Sequence, residues 1–397
     1  MYAISLLERW LSRNCASIHA GRRQAAVRAV TGIIEGGRAI LTEIGRHLKC
    51  GRYEKHRIKN VDRLIGNHHL HAERLVIYRA LAHWLLSQTP RPYIIVDWSD
   101  VQLNRRQLML KAAVPVGGRA LTLYEEVHPL KRYNSPKTHR KFLERLHAVV
   151  PSGCHPILIT DAGFRGPWFD AVAALGWDWI GRVRNRVTYR LAGTSSWSSL
   201  RSLYAQATST PHHVGSGWLS ATRPYACELY LYQGFKRGPG RPRKPLRAYP
   251  NQRRKRRAAR EPWVLATSLP ASQWSARRIV SAYHKRMQIE ETFRDLKSHR
   301  WGLSLQYARS RSSERLENLL LLASLATLAT WLAGLAVRLA NLAPRFQANT
   351  VKVRTVLSNF FLGRRALKSE RSCLSPPMIR HALRTLPFIV NQQATWL

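Results

Sequence analysis

Acid is what this chain has least of. Only 22 of its 397 residues are Asp or Glu, against 65 Lys and Arg, for a formal charge of +43. Such an excess needs a polyanion in use; DNA or RNA is the usual one and a membrane surface the lesser alternative. Cysteine is also scarce. Cys15, Cys50, Cys154, Cys227 and Cys373 are odd in number and widely scattered, which suggests neither a disulfide framework nor a zinc site and suits a reducing cytosol. The first ten residues acquire charge too early for a secretory signal peptide. Long apolar runs are absent but for Leu319–Val337, which passes a membrane-span window of about 19 residues. Its Ser324, Thr327, Thr330 and alanines suit a buried core helix, no second span accompanies it, and it is read as packing behind the helix of residues 275–298.

With 45% of its residues hydrophobic, the chain can fill the cores of two or three domains. Residues 1–87 read as helical and basic, with helical periodicity in Ile40–Leu48 and Arg57–Gly66 and Gly51 between them. A helix pair around a glycine turn is the pattern of a helix-turn-helix DNA reader, and equally of any small helical bundle. His68, His69 and His71 lack a cysteine or carboxylate at ligand spacing, so a solvated loop is expected there.

From Pro92 the periodicity changes to that of strands. Tyr93–Asp97, Leu108–Val116 and Ala120–Tyr124 form an expected antiparallel meander, with Gly117-Gly118 turning between the last two. A helix over Lys137–Val150, a strand over Pro156–Asp161 and a further strand over Trp177–Val183 follow. This order, completed by a later long helix, is that of an α/β, ribonuclease-H-like fold. Residues 187–260 depart from the plan: strands rich in tryptophan, serine and tyrosine lead into a basic tract, 236–257, that contains no acid. Two readings of the tract stand, a solvated loop and a DNA-backbone contact, and Gly240-Arg241-Pro242 also resembles the core of an AT-hook. Glu261–Leu269 returns to a strand, and the residues after Val337 read as basic and mostly helical.

The most informative segment is Tyr283–Lys297, taken as part of one helix from about Ser275 to Ser298. On such a helix Tyr283, Arg286, Glu290 and Lys297 fall within roughly 60° of one another, so a phenol, a guanidinium, a carboxylate and an ammonium share a face. Glu291 lies roughly 100° away from that face, which favours Glu290. Asp97 and Asp161 each end an apolar strand-like run, and Asp100 lies beyond the first. Carboxylates are the ligands Mg²⁺ prefers, and phosphodiester chemistry by water or a 3′-hydroxyl needs charge stabilisation that two such ions supply. Each acid alone has a plainer reading as a turn residue, and Arg286 with Glu290 as a surface ion pair. Together they point to metal-dependent phosphoryl transfer on nucleic acid.

Val96-Asp97-Trp98-Ser99-Asp100, Thr160-Asp161-Ala162-Gly163-Phe164 and Tyr283-x-x-Arg286-x-x-x-Glu290-x(6)-Lys297 together resemble the DDE transposases of the insertion-sequence-four group, in their transposon-ten form. The likeness extends over nearly the whole chain, including Arg63–His71 and Glu261–Thr267. It implies a ribonuclease-H-like core with a β-rich insertion, and cut-and-paste transposition through a hairpin at the element end. By the same resemblance Asp97, Asp161 and Glu290 bind two Mg²⁺ ions, with Mn²⁺ able to substitute, while Tyr283, Arg286 and Lys297 hold terminal DNA phosphates. Trp263 would stack on a flipped base and Met287 would wedge into its place, although Trp263 reads equally as a core residue of its strand. The expected partners are double-stranded DNA, as inverted repeats and target, and a second copy in a paired-end complex. The implied layout is a helical DNA-binding domain over 1–87, core over 88–186, insertion over 187–260, core over 261–343 and a helical C-terminal region over 344–397. The alternatives are an inactive DNA-binding descendant, which intact acids disfavour, and a nuclease without strand transfer, which has no need of the phosphate-holding face.

Overall fold

A computed structural model describes residues 2–51, 53–184, 187–234, 261–348, 350–351, 356–369 and 374–395. The basic tract 236–257 and its Gly240-Arg241-Pro242 lie outside the described residues. The chain is mixed α/β and divides into two compact units, 1–154 with 287–396, and 155–286.

In the first unit five helices come first: α1 (Tyr2–Asn14), α2 (Ala20–Gly36), α3 (Leu41–Arg46), α4 (Glu54–Ile65) and α5 (His68–Leu85). The α3–α4 pair matches the two periodic segments. His68, His69 and His71 are not in a loop: they form the first turn of α5, where Asn67 Oδ1 accepts the Leu70 amide at 2.8 Å and supplies an N-cap. His71 is further held by Glu317, at 2.6 Å from its Nε2.

The expected meander is β1 (Tyr93–Asp100), β2 (Gln107–Pro115) and β3 (Ala120–Pro129), antiparallel throughout. Gly117 and Gly118 both take positive φ, 83° and 86°, in the two-residue turn between β2 and β3. That conformation is costly with a Cβ at both positions, which is why such hairpins favour glycine. The strands are buried on both faces, and β2 carries Lys111 fully out of solvent, paired with Glu125 of β3 at 2.8 Å. α6 (Pro136–Val149) follows, its apolar side led by Phe142, Leu143 and Leu146.

After the second unit the chain returns as α9 (Met287–Lys297), α10 (Ser313–Leu339), α11 (Asn359–Lys368) and α12 (Pro376–Thr395). α10 is apolar all round and therefore buried all round. Among the described residues it alone is long and apolar enough to cross a membrane, and its apolar window is wholly covered by protein. It packs chiefly on α11, α12, β3 and α2, rather than behind the helix carrying Glu290. The α10–α11 crossing is backbone on backbone: a methyl at Gly334 would fall 1.7 Å from the Asn359 carbonyl oxygen, and one at Gly363 equally close to that of Thr330.

The second unit contains β4 (Ile157–Thr160), α7 (Gly166–Ala173), β5 (Asp178–Val183), β6 (Thr188–Leu191), β7 (Ser198–Ser199), β8 (His212–Leu219), β9 (Tyr225–Tyr232), β10 (Trp263–Thr267) and α8 (Ala276–His284). Its strands are ordered β4-β5-β10-β9-β8-β6-β7, with β4 and β5 parallel and the other neighbours antiparallel. Phe169 of α7 stacks on Trp179 of β5, ring centres 4.1 Å apart, and so ties the crossover helix to the strand it feeds.

Candidate functional site

The expected continuous helix is two helices. α8 ends at His284, Lys285 and Arg286 form a turn, and α9 starts at Met287. In the turn the amides of Lys285 and Arg286 reach back to the carbonyls of Ala282 and Tyr283, at 3.1 and 3.0 Å. The single face of Tyr283, Arg286, Glu290 and Lys297 is therefore corrected: Tyr283 and Arg286 belong to the second unit, and Met287, Glu290 and Lys297 to the first. Nothing in the local sequence marks the break, since Tyr283–Lys297 contains neither proline nor glycine.

In the first unit Asp97 sits inside β1 rather than at its end. It is 9% exposed, its Oδ1 accepts the Trp98 amide at 2.8 Å, and it faces Lys111 across the ladder. α9 packs on β1 and on the β2–β3 hairpin. Gln288 Oε1 accepts the amides of Val116 and Gly117, both at 3.1 Å, and the Thr292 hydroxyl accepts that of Ala120 at 2.9 Å. Arg119 closes the contact on the buried Asp295. This seat brings the Lys297 ammonium to Ser99 Oγ, to which it donates at 2.8 Å. Burial pushes Lys297 below the usual lysine range, and the negative charges of Asp100 and Asp97 oppose that shift.

Glu290 is exposed in the first turn of α9, where the helix dipole favours a carboxylate. It stands seven positions before Lys297, so the two still share a side of α9. Glu291 is engaged elsewhere, with Arg294 and with Arg119 at 3.7 Å. Met287 is 45% exposed at the start of α9.

In the second unit Asp161 follows directly on β4, half-buried, and its Oδ1 accepts the Gly163 amide at 2.8 Å in an Asx-type turn. Tyr283 is buried, which raises its phenol above the ordinary tyrosine range; Arg286 and Arg182 oppose the rise and Asp161 adds to it. The Arg286 guanidinium lies 5.9 Å from the Tyr283 ring centre. Trp263, half-buried on β10, meets Tyr283 edge-on at 4.9 Å and His284 at 4.6 Å. It is thus part of an aromatic cluster at the start of its strand rather than a fully buried core side chain.

Arg182 escaped the sequence reading. It lies on β5, 6.0 Å from the Trp263 ring centre, and burial lowers its guanidinium. It donates to the carbonyl oxygens of Glu261 and Pro262 at 3.2 and 3.4 Å. The available signal was a lone arginine in an otherwise apolar strand, Trp179-Ile-Gly-Arg182-Val183. Ser99 was also missed, and no sequence signal distinguishes it from other strand serines.

In each unit an aspartate thus lies within electrostatic reach of another polar group: Asp97 of the Lys297 ammonium in one, and in the other Asp161 of the Tyr283 phenol, on which Arg286 also acts. Among the described residues no three His, Cys, Asp or Glu side chains form a group that would hold a metal ion by themselves. The family model described as a transposase DDE domain matches residues 88–327, more than half of the chain. No curated protein matches it.

Proposed function

Since the chain belongs to the transposase DDE domain family, we propose that it is a cut-and-paste transposase of the insertion-sequence-four kind. In this reading it binds the terminal inverted repeats of its element, excises the element through a hairpin and joins the 3′ ends to target DNA. The supporting observation is that each unit sets an aspartate within electrostatic reach of a group that can hold phosphate, Asp97 of the Lys297 ammonium and Asp161 of the Tyr283 phenol, inside the matched span.

Asp97, Asp161 and Glu290 are assigned as the metal-binding acids. Magnesium is commonly held by one or two carboxylates with water and substrate phosphates completing its shell, so carboxylates without an all-protein cage fit the role. Two such ions supply stabilisation of the attacking and leaving oxygens of the phosphodiester exchange. Lys297, Arg286 and Tyr283 hold the terminal phosphates. The raised Tyr283 keeps its proton and so donates to a phosphate oxygen, while Arg286 offers a planar fork. Trp263 takes a base extruded from the duplex on its exposed side, and the exposed Met287 occupies the gap left behind. The ribonuclease-H-like core takes residues 88–186 and 261–343, β6–β9 belong to the insertion over 187–260, and α1–α5 bind DNA. Two copies pair the element ends.

The test is incubation with Mg²⁺ and a labelled duplex bearing the terminal inverted repeat, resolved on a denaturing gel. A nick followed by a hairpin is expected. Hydrolysis without strand transfer would replace the reading with a nuclease, and binding without cleavage in both Mg²⁺ and Mn²⁺ with an inactive descendant.

A further inference from the structure

A cleft of about 570 Å³ in the first unit, whose lining includes none of the acids assigned above, is lined by Arg300, Arg345, Arg364, Arg365 and Lys368. No carboxylate lines it among the described residues. Like charges converge here: burial lowers Lys368, and Arg364 lowers it further. Arg364 is fixed in place by donation to the Trp301 carbonyl at 2.8 Å, whereas Arg300, Arg345 and Arg365 form no ion pair with a described residue. Concentrated positive charge with no carboxylate among the described lining residues is a site for an anion that carries several charges.

The same cleft is aromatic. Trp301, Phe346 and Phe361 line it, and Trp301 is 51% exposed although it is among the largest apolar side chains of the chain. Phe361 supports Trp301 edge-on at 6.1 Å, and the Arg300 guanidinium lies 4.7 Å from its ring centre. A duplex presents phosphates but hides its base faces, and an acidic peptide offers charge with no ring to stack. An unpaired nucleotide strand offers both phosphates and open base faces, which is the combination that single-strand binding grooves use. The volume suits a guest of nucleotide size.

We propose that this cleft binds a segment of single-stranded DNA, a base stacking on Trp301 while Arg345, Arg365 and Lys368 hold the flanking phosphates. None of the residues that line it is among those assigned to the terminal phosphates.

The test uses the full chain with a fluorescein-labelled single-stranded oligothymidylate carrying one 5-iodouracil, with photocrosslinking, peptide mapping and anisotropy. Crosslinks are expected in the peptides containing Trp301 or Phe361. Trp301→Ala should weaken single-strand binding about tenfold, in the range of one lost stacking contact, while Trp301→Phe keeps most of it and controls for folding. Changing Arg345, Arg365 and Lys368 together to Gln should flatten the salt dependence of binding by about two counter-ions. Crosslinks elsewhere with none in these peptides would overturn the proposal. So would equal competition by a duplex or by polyglutamate that Trp301→Ala does not alter. If the peptides crosslink but the protein never nicks an element end, the proposed function fails and the cleft stands. If nicking and hairpin formation proceed without these crosslinks, the reverse holds.

Discussion

Both units bear an aspartate beside a strand of apolar residues, yet they hold it by different means. Asp97 lies within the β1–β2 ladder, its position set by strand register and by the amide next to it. Asp161 lies just past β4 and is oriented by a two-residue turn to the Gly163 amide. Their cations differ likewise: Lys297 is a flexible ammonium steadied by one serine, whereas Arg286 is a planar guanidinium beside a buried phenol. Strand register is cooperative and resists local change, while a turn rests on a few bonds. One acid can therefore be altered without disturbing its surroundings by keeping the hydrogen bonds it makes.

The largest effect should come from neutral isosteres. Asp97→Asn and Asp161→Asn keep the acceptor that the Trp98 and Gly163 amides need, and Glu290→Gln keeps the shape of an exposed side chain. Each should retain duplex binding and lower element-end cleavage on the order of a thousandfold, several kcal/mol of barrier. Near-normal cleavage by any of the three on a gel would remove that residue from the assignment.

Next come the cations. Arg286→Ala and Lys297→Ala should each slow hairpin formation about 10- to 100-fold, as expected for a lost charge-assisted hydrogen bond, with a smaller effect on the first nick. Quantifying nick and hairpin in one time course separates the steps, and equal loss of both would argue against terminal-phosphate binding.

The contrast between lysine and arginine also predicts a pH effect. Lys297 is lowered by burial, so its positive charge is lost earlier on the alkaline side than for an ordinary lysine. Hairpin formation should therefore fall as pH rises toward that range, and Lys297→Arg should remove this limb because a guanidinium stays charged. A pH profile of the variant identical to that of the parent would assign the limb to another group.

The smallest effect should be at Glu291→Gln. Its pair with Arg294 is substantially exposed, with side chains 37% and 60% accessible, so screening leaves about 0–1 kcal/mol at stake. Cleavage within about twofold of the parent and little change in thermal unfolding are expected, the former checked on the same gel and the latter by calorimetry.

The strands were legible because their apolar runs are short, β-branched and punctuated by acids and glycines; Leu108–Val116, for instance, differs from β2 by one residue at each end. α10 was legible as a core helix for a similar reason, an uncharged run too long for a strand. The break between α8 and α9 was not, because helical periodicity continues through Lys285 and Arg286. His68, His69 and His71 were weighed only as metal ligands and left to a loop, whereas Asn67, just before them, caps a helix with its side-chain oxygen.

By itself the sequence determined most of the strands, the long core helix and the surplus of positive charge, since each depends on residue type and local spacing. Only the tertiary structure decided which residues share surroundings. Packing of α9 on the β2–β3 hairpin sets Lys297 at Ser99, and the aromatic cluster at β10 sets Trp263 against Tyr283. Such contacts join residues many positions apart, and helical spacing alone carries no information about where the chain will turn to make them.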